Sequence, residues 1–426
     1  MYNDPFVFQR YIENLKDRGL NFKALVEGYG TPLYLIDLDM VKHNYITLKN
    51  SLDKIWERNL ICYAYKANTC LALLKFLNEL GAGAEVVSSG ELYAAKLVNV
   101  PSNKIVFDGV SKSPNEIFDA VSSRILLINI ENIDELYWIN KFSSELNVKT
   151  SIGVRVNFDI PVKTHAHIGT GARIHKFGLS IYNAFKAYET ALKLDNIHVS
   201  GIHIHLGSQI FDIEPYRIAV NEILNFCSRL YEMFGIKLEI IDLGGGFGIP
   251  YSKDERIFPL NEYCEVIRKL IDPPHEFFID NPLIIFEPGR FIVGNSGILL
   301  TRVNYVKEDY GFKWVLVDAG MNDLIRPALY GATHTILNLS SNEELYEYNV
   351  AGPICESSDV FGFNVKLNKV NPGDILAIMN TGAYGFSMSS NYNSRPRAAI
   401  IIFHEGKTYL ARRRETYMDL FSHEIF

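Results

Sequence analysis

Eight short runs of apolar and β-branched residues recur between residues 61 and 289, each followed by a longer stretch whose apolar positions fall at helical spacing. They are ICYAYK (61–66), AEVV (84–87), KIVF (104–107), ILLIN (125–129), SIGVRVN (151–157), VSGIHIHLG (199–207), LEIIDLGG (238–245) and LIIFEPG (283–289). A short apolar run followed by a helical pattern reads as one βα unit of a parallel sheet. Eight such units over about 220 residues match a closed (β/α)8 barrel, typically about 250 residues long, better than an open sheet. The fold class expected is therefore α/β: a (β/α)8 TIM-like barrel with a second, mostly β domain.

The second domain is read from a change of texture after Arg290. ILLTRVNYV, KWVLVDA, DILAIMN and AAIIIFH are strand-like and separated by turns rather than amphipathic helices. The expected division is an N-terminal segment over 1–35 packing with the β domain, a barrel over 36–290, and a C-terminal β domain over 291–426. TPLYLIDLD (31–39) is strand-like but precedes the eight runs, so either domain can claim it.

A chain of 426 residues with 48% hydrophobic side chains can bury a large core. Its net charge of -7 arises from intermixed acids and bases, which suggests neither a nucleic-acid footprint nor a polybasic membrane anchor. The N-terminus has no long apolar run, so neither a signal peptide nor a membrane span is expected there. Five scattered cysteines (Cys62, Cys70, Cys227, Cys264, Cys355), with no close CxxC spacing, argue against a disulfide framework or a zinc site. Together these features favour a reducing, cytoplasmic setting and a small-molecule ligand.

Barrel enzymes carry their chemistry at the C-terminal ends of the strands, and polar residues collect there in this chain. Lys66 ends run one, Arg155 and Asn157 end run five, and His205 and Ser208 stand at the end of run six; Gly244, Gly245 and Gly246 stand at the end of run seven, and Glu287 and Arg290 at the end of run eight. A lysine in a barrel mouth loses hydration, which frees its amine for Schiff-base chemistry, although a strand-end lysine can equally snorkel into solvent. Three glycines open a βα turn to an anion, or simply make a tight turn. Glu287, held by Pro288 and Gly289, can face a pyridine nitrogen or pair with Arg290. Of the histidines two apart in run six, His203 is assigned to packing and His205 to stacking on a cofactor ring.

YAYKAN, GAGAEVVSSGEL, HIHLGSQ, LGGGFG, EPGR, GPICESSD and TGAYG together resemble the diaminopimelate decarboxylase family over nearly the whole chain. The resemblance implies the alanine-racemase-like barrel shared with ornithine and arginine decarboxylases, pyridoxal 5'-phosphate as cofactor, and a homodimer with shared active sites. By that likeness Lys66 is the Schiff-base lysine, His205 stacks on the pyridine face and Glu287 meets its nitrogen. Ser208, Gly244, Gly245, Gly246, Pro288, Gly289, Arg290 and Tyr384 border the cofactor and its phosphate. Cys355 and Glu356 match residues that reach the site from the other subunit, with Cys355 a proton donor. Arg290, Arg326 and Tyr330 resemble the group binding a distal carboxylate, Glu356 accepts the distal ammonium, and Tyr384 lies on the substrate side. The stretch 163–178 resembles a flexible family loop, with His175 where serine or asparagine is more usual.

The likeness implies a carboxy-lyase that converts meso-2,6-diaminopimelate to L-lysine and carbon dioxide, the last step of lysine biosynthesis. Competing readings are a decarboxylase for another amino acid or carboxynorspermidine, a racemase, and a non-catalytic cofactor-binding relative. A racemase of this fold usually sets an arginine near the pyridine nitrogen, and Glu287 argues against it.

Overall fold

The computed structural model describes residues 7–162, 176–252, 255–341 and 343–425. Most of the family-like loop, residues 163–175 with His175, lies outside the described residues. The chain forms two compact units: residues 44–248 with 258–291, and residues 1–43 with 249–257 and 292–426.

The chain's first strand, β1 (Leu33–Asp37), belongs to the second of these units, where it runs parallel to one strand and antiparallel to another. The first unit contains β2 (Asn59–Ala64), β3 (Gly83–Val86), β4 (Ile105–Phe107), β5 (Leu127–Ile130), β6 (Thr150–Asn157), the two-residue β7 (Leu179–Ser180), β8 (Ile197–His203), β9 (Leu238–Asp242) and β10 (Phe278–Phe286). Apart from β7, these strands pair in chain order, all parallel, and β10 pairs back onto β2 to close an eight-stranded barrel. Cys62, Val106, Leu127, Ile240 and Ile285, from five different strands, form one buried apolar cluster. Full burial of a side chain of this size contributes about 1.5–3 kcal/mol, so the cluster is a substantial anchor for the ring.

Several strands stop earlier than their apolar runs. The first ends at Ala64, the sixth at His203 and the seventh at Asp242. The residues just beyond, Ile204, Leu206 and Leu243, are nonetheless buried. Hydrophobicity therefore reports burial there, in loops folded back over the strand ends, and not ladder pairing. Lys66 consequently sits on a single 3-10 turn, Tyr65–Ala67, just past its strand.

The second unit continues with β11 (Gly297–Asp309), β12 (Phe312–Val317), β13 (Ile336–Asn338), β14 (Leu345–Ala351), β15 (Val360–Asn368), β16 (Ile375–Met379), β17 (Ala399–His404) and β18 (Lys407–Arg412). They make one sheet in the order β15-β14-β12-β11-β1-β17-β18, with β16 on β11 and β13 on β16. The strand-like runs of the sequence do not include β13, β14 and β15: β13 has only three residues, and β14 and β15 interleave polar residues such as Glu347, Asn349, Asn364 and Lys366 with apolar ones.

Two helices, Val7–Asp17 and Phe22–Tyr29, lay Phe8, Ile12, Leu15, Phe22 and Leu25 on Leu33, Leu35, Ile298, Leu300 and Ile401 of the sheet. Asn21 caps the second helix by accepting the Ala24 N–H at 3.0 Å. Beneath them Asp37 is buried, and its carboxylate accepts Arg18 at 2.8 and 2.9 Å and the Tyr11 hydroxyl at 3.1 Å. Because Arg18 is the cation that neutralises this buried carboxylate, Arg18→Met is expected to destabilise the second unit by about 3 kcal/mol. Urea unfolding checks this, and a change below about 0.5 kcal/mol, the range of ordinary surface substitutions, would show the pair to be dispensable.

Candidate active site

The C-terminal ends of the barrel strands carry a layer of polar side chains set just above the apolar cluster. Lys66 Nζ lies 2.9 Å from both carboxylate oxygens of Glu85, which is fully buried on β3. Burial pushes the Glu85 carboxyl up, and the nearby Lys66 ammonium limits the rise to about 7. The lysine's side chain keeps 36% of its exposure, so the amine is both anchored and open to a ligand.

Glu287 leaves β10 with its N–H donated to the Gly244 carbonyl at 2.7 Å. Its Oε2 lies 3.5 Å from His203 Nε2, while its Oε1 is buried with no hydrogen-bond partner. Burial, reinforced by Asp108 and Glu85, holds its carboxyl well above the usual carboxylate range. Arg290, its ion-pair partner in the alternative reading of the sequence, donates instead to Ser208 Oγ, from Nη2 at 3.1 Å and Nε at 3.4 Å.

His205 lies two residues past the end of β8, and its Nδ1 accepts the Gly245 N–H at 3.4 Å. Burial, then the positive charges of Lys66 and Arg155, drive its basicity well below that of ordinary histidine, so a neutral ring is presented. Gly244 and Gly246 adopt φ of +59° and +98°, and a Cβ on Gly245 would strike the Glu287 carbonyl. The Tyr216 hydroxyl donates to the Gly245 carbonyl at 3.2 Å and steadies this turn. Its three glycines therefore serve backbone conformation and close approach together.

Several residues of the layer escaped sequence reasoning. Asn129 Nδ2 donates to Asp108 Oδ1 at 2.8 Å and to Asp242 Oδ2 at 3.0 Å, all three being buried. Burial raises the Asp108 carboxyl, but His203, Arg155, Lys66 and the Asn129 bond outweigh it and hold the group at about 2. Asp242 is pushed well up by burial and by Glu287. Arg155 Nη1 meets Glu131 Oε1 at 2.6 Å, and Glu131 Oε2 accepts the Gly178 N–H at 2.8 Å. His203, assigned to packing from its position, instead stands between Asp108 and Glu287. The signal that could have found Asp108, Asn129 and Asp242 is the one that found Lys66: a polar residue closing an apolar run, as in IVFD, LLIN and IID. Asn157 does something else, donating to the Phe177 carbonyl at 3.3 Å and so tying a loop.

The remaining candidates lie in the other unit. Arg326 is buried, with Nη1 2.8 Å from His334 Nε2 and its guanidinium 4.5 Å from the centroid of the Tyr251 ring. Tyr330 ends the same short helix, Arg326–Tyr330. Cys355 and Glu356 are exposed in a loop built on Asp359, whose carboxylate accepts the N–H of Met321 at 2.6 Å and of Ile354 at 2.7 Å. Asn393 Oδ1 accepts the Cys355 N–H at 2.8 Å. Tyr384 is half-buried with φ of +56°. All five cysteines are free, Cys355 alone among them being exposed.

Residues 38–294 match the family model described as the pyridoxal binding domain of pyridoxal-dependent decarboxylases. Diaminopimelate decarboxylase of Methanocaldococcus jannaschii is 42% identical over 414 residues, covering 96% of this chain and 94% of that protein. The chain belongs to the diaminopimelate decarboxylase family. The crystal structure of the Helicobacter pylori diaminopimelate decarboxylase complexed with L-lysine matches with a TM-score of 0.88 at 37% identity, over 94% of this chain and 98% of that one. Lysine/ornithine decarboxylase from Vibrio vulnificus, complexed with putrescine, matches at a TM-score of 0.77 and 25% identity, over 90% of this chain and 97% of that one.

The family's cofactor is pyridoxal 5'-phosphate, and the barrel mouth fits it. The buried, unpartnered Glu287 Oε1 can receive a protonated ring nitrogen, and the Gly244–Gly246 turn packs so tightly on the backbone of Ile204, Glu287 and Gly207 that no Cβ fits, which leaves a turn of bare backbone for an anion. Lys66 supplies the amine, and the neutral His205 ring a stacking surface. Gly245→Ala is expected to displace the Glu287 carbonyl at an overpacking cost of about 1–3 kcal/mol and to weaken cofactor retention about tenfold. Absorbance of the protein after gel filtration measures this; full retention would remove the turn from the cofactor site.

Proposed function

We propose that the chain decarboxylates meso-2,6-diaminopimelate to L-lysine and carbon dioxide, as a cytoplasmic homodimer with shared active sites. The observation that carries the substrate assignment is the grading of its relatives. Identity is 42% to a diaminopimelate decarboxylase across almost the full length but 25% to a lysine/ornithine decarboxylase of the same fold. The absence of any membrane-spanning helix among the described residues is compatible with a cytoplasmic enzyme.

Bound pyridoxal phosphate supplies an electron sink for the pair left on the α-carbon when carbon dioxide departs. The protein's part is to hold and orient. Lys66 would hold the cofactor through its Nζ, the amine that stands beside Glu85. Glu287 would receive a protonated ring nitrogen, which would strengthen the sink, and the neutral His205 ring would offer it a stacking surface. Gly244, Gly245, Gly246 and Ser208 would hold the phosphate end, Tyr384 is assigned to the same role, and Pro288 and Gly289 shape the turn that bears Glu287.

A diamino diacid has a second carboxylate and a second ammonium group. Arg290, Arg326 and Tyr330 are assigned to the carboxylate, because two guanidinium forks match its planar geometry as a lysine cannot. Glu356 is assigned to the ammonium. Fixing the distal end would hold the substrate in one orientation, so that binding energy becomes alignment of the bond to be broken. Cys355 Sγ then delivers the proton that replaces the lost carboxylate.

Carbon dioxide release should be found with meso-diaminopimelate and not with lysine, ornithine or arginine, and lysine should be the amine product. Release from ornithine alone would overturn the roles of Arg326 and Glu356. Lys66→Ala should abolish turnover, whereas Cys355→Ala should lower it and leave cofactor retention unchanged. If sites are shared, mixing the two variants restores a fraction of activity through hybrid dimers. No recovery after verified subunit exchange would show each subunit to be self-sufficient.

A further inference from the structure

His203 closes β8 with no exposure, and both of its ring nitrogens are buried without a hydrogen-bond partner. Nε2 lies 3.6 Å from Asp108 Oδ2 and 3.5 Å from Glu287 Oε2. One polar atom from each of Asp108, His203, Asp242 and Glu287 falls within 4.8 Å of the others. Packing does not account for this arrangement. An imidazole stripped of water at both nitrogens costs free energy that leucine, of similar size, would not incur.

Electrostatics does account for it. Asp108, Asp242 and Glu287 crowd three carboxyl groups into one dry space, where they cannot all ionise without a cation between them. The other charged groups facing this space are Lys66, Arg155 and Glu85. Lys66 is engaged by Glu85 at 2.9 Å and Arg155 by Glu131 at 2.6 Å. The imidazole of His203 is therefore the donor set directly between Asp108 and Glu287.

We propose that His203 is a positioning residue of the cofactor site: its imidazole bridges Asp108 and Glu287 and keeps the Glu287 carboxyl group aimed at the cofactor's ring nitrogen. The proposal rests on the reading of Glu287 as the nitrogen's partner. His203 acts through Glu287 and need not touch the cofactor.

The test uses the holoenzyme and two variants, His203→Leu and His203→Gln, read by the absorption spectrum of the bound cofactor and by its retention on dilution. His203→Leu should alter the spectrum and weaken retention about tenfold, the effect of losing one interaction with a charged group. His203→Gln, which keeps an N–H for a carboxylate, should recover most of both. In a Glu287→Gln background, His203→Leu should weaken retention less than about twofold further, because coupled residues are not additive. An unchanged spectrum and retention in His203→Leu would overturn the proposal. Equal losses in Leu and Gln with an unchanged spectrum would reduce His203 to packing and overturn it too. If His203→Leu does not fold, His203→Gln alone and combined with Glu287→Gln decides: additive losses overturn the proposal, and non-additive losses support it. These readouts do not involve substrate, so release of carbon dioxide from a different amino acid would change the proposed reaction and leave this test standing.

Discussion

The barrel unit depends on how it accommodates ionisable groups that the closed ring forces out of water. Closure buries the ends of eight strands, and Glu85, Asp108, Asp242 and Glu287 all lie at those ends with almost no exposure. A buried carboxylate is tolerated only when a cation or hydrogen-bond donors face it, and otherwise it keeps its proton. Here both outcomes occur within a few ångströms. Asp108, facing His203, Arg155 and Asn129, is held at about 2, while Asp242 and Glu287 are driven upward by burial and by neighbouring carboxylates. Titratable groups pushed apart in this way mark a working site more often than a structural one.

The glycine turn after β9 is part of the same arrangement. Asp242 Oδ1 accepts the Gly244 N–H at 3.1 Å, and the Gly244 carbonyl accepts the Glu287 N–H at 2.7 Å. The turn that fits a phosphate and the acid that fits a ring nitrogen are thus joined through one backbone. Lys66, on a 3-10 turn beyond its strand, is placed by a different device, the two-oxygen grip of Glu85. Such supports hold the groups that meet a ligand to the tolerance catalysis requires.

Much of this was legible in the order of residues. The alternation of apolar runs with helical spacing identified the barrel, because inward-facing strands buried on both sides must be apolar nearly throughout. Lys66, His205, the glycines and Glu287 stood out as polar or side-chain-free residues at run ends. The same criterion applied to Asp108, Asn129 and Asp242, yet an acid or amide at a strand end is also an ordinary start to a turn; Glu85, inside its run, had no such signal. Run lengths misled where loops are buried, as at Ile204 and Leu243, since hydrophobicity reports exclusion from water and not strand pairing. The β13–β15 region was obscure for other reasons: β13 has only three residues, and β14 and β15 carry enough polar residues to pass for loops.

By itself the sequence determined the fold class, the family, and the identity of the lysine, histidine, glycines and glutamate at the barrel mouth, because each is set by period, spacing and local motif. Only the tertiary structure decided which groups face one another. Asn129 meets Asp108 and Asp242 across 21 and 113 residues of chain, and His203 meets Glu287 from another strand altogether. Charge state depends on such neighbours and on loss of water, and neither is a property of position in the chain. That is why His203 looks like packing in the sequence and like the hinge of a charge network in the fold.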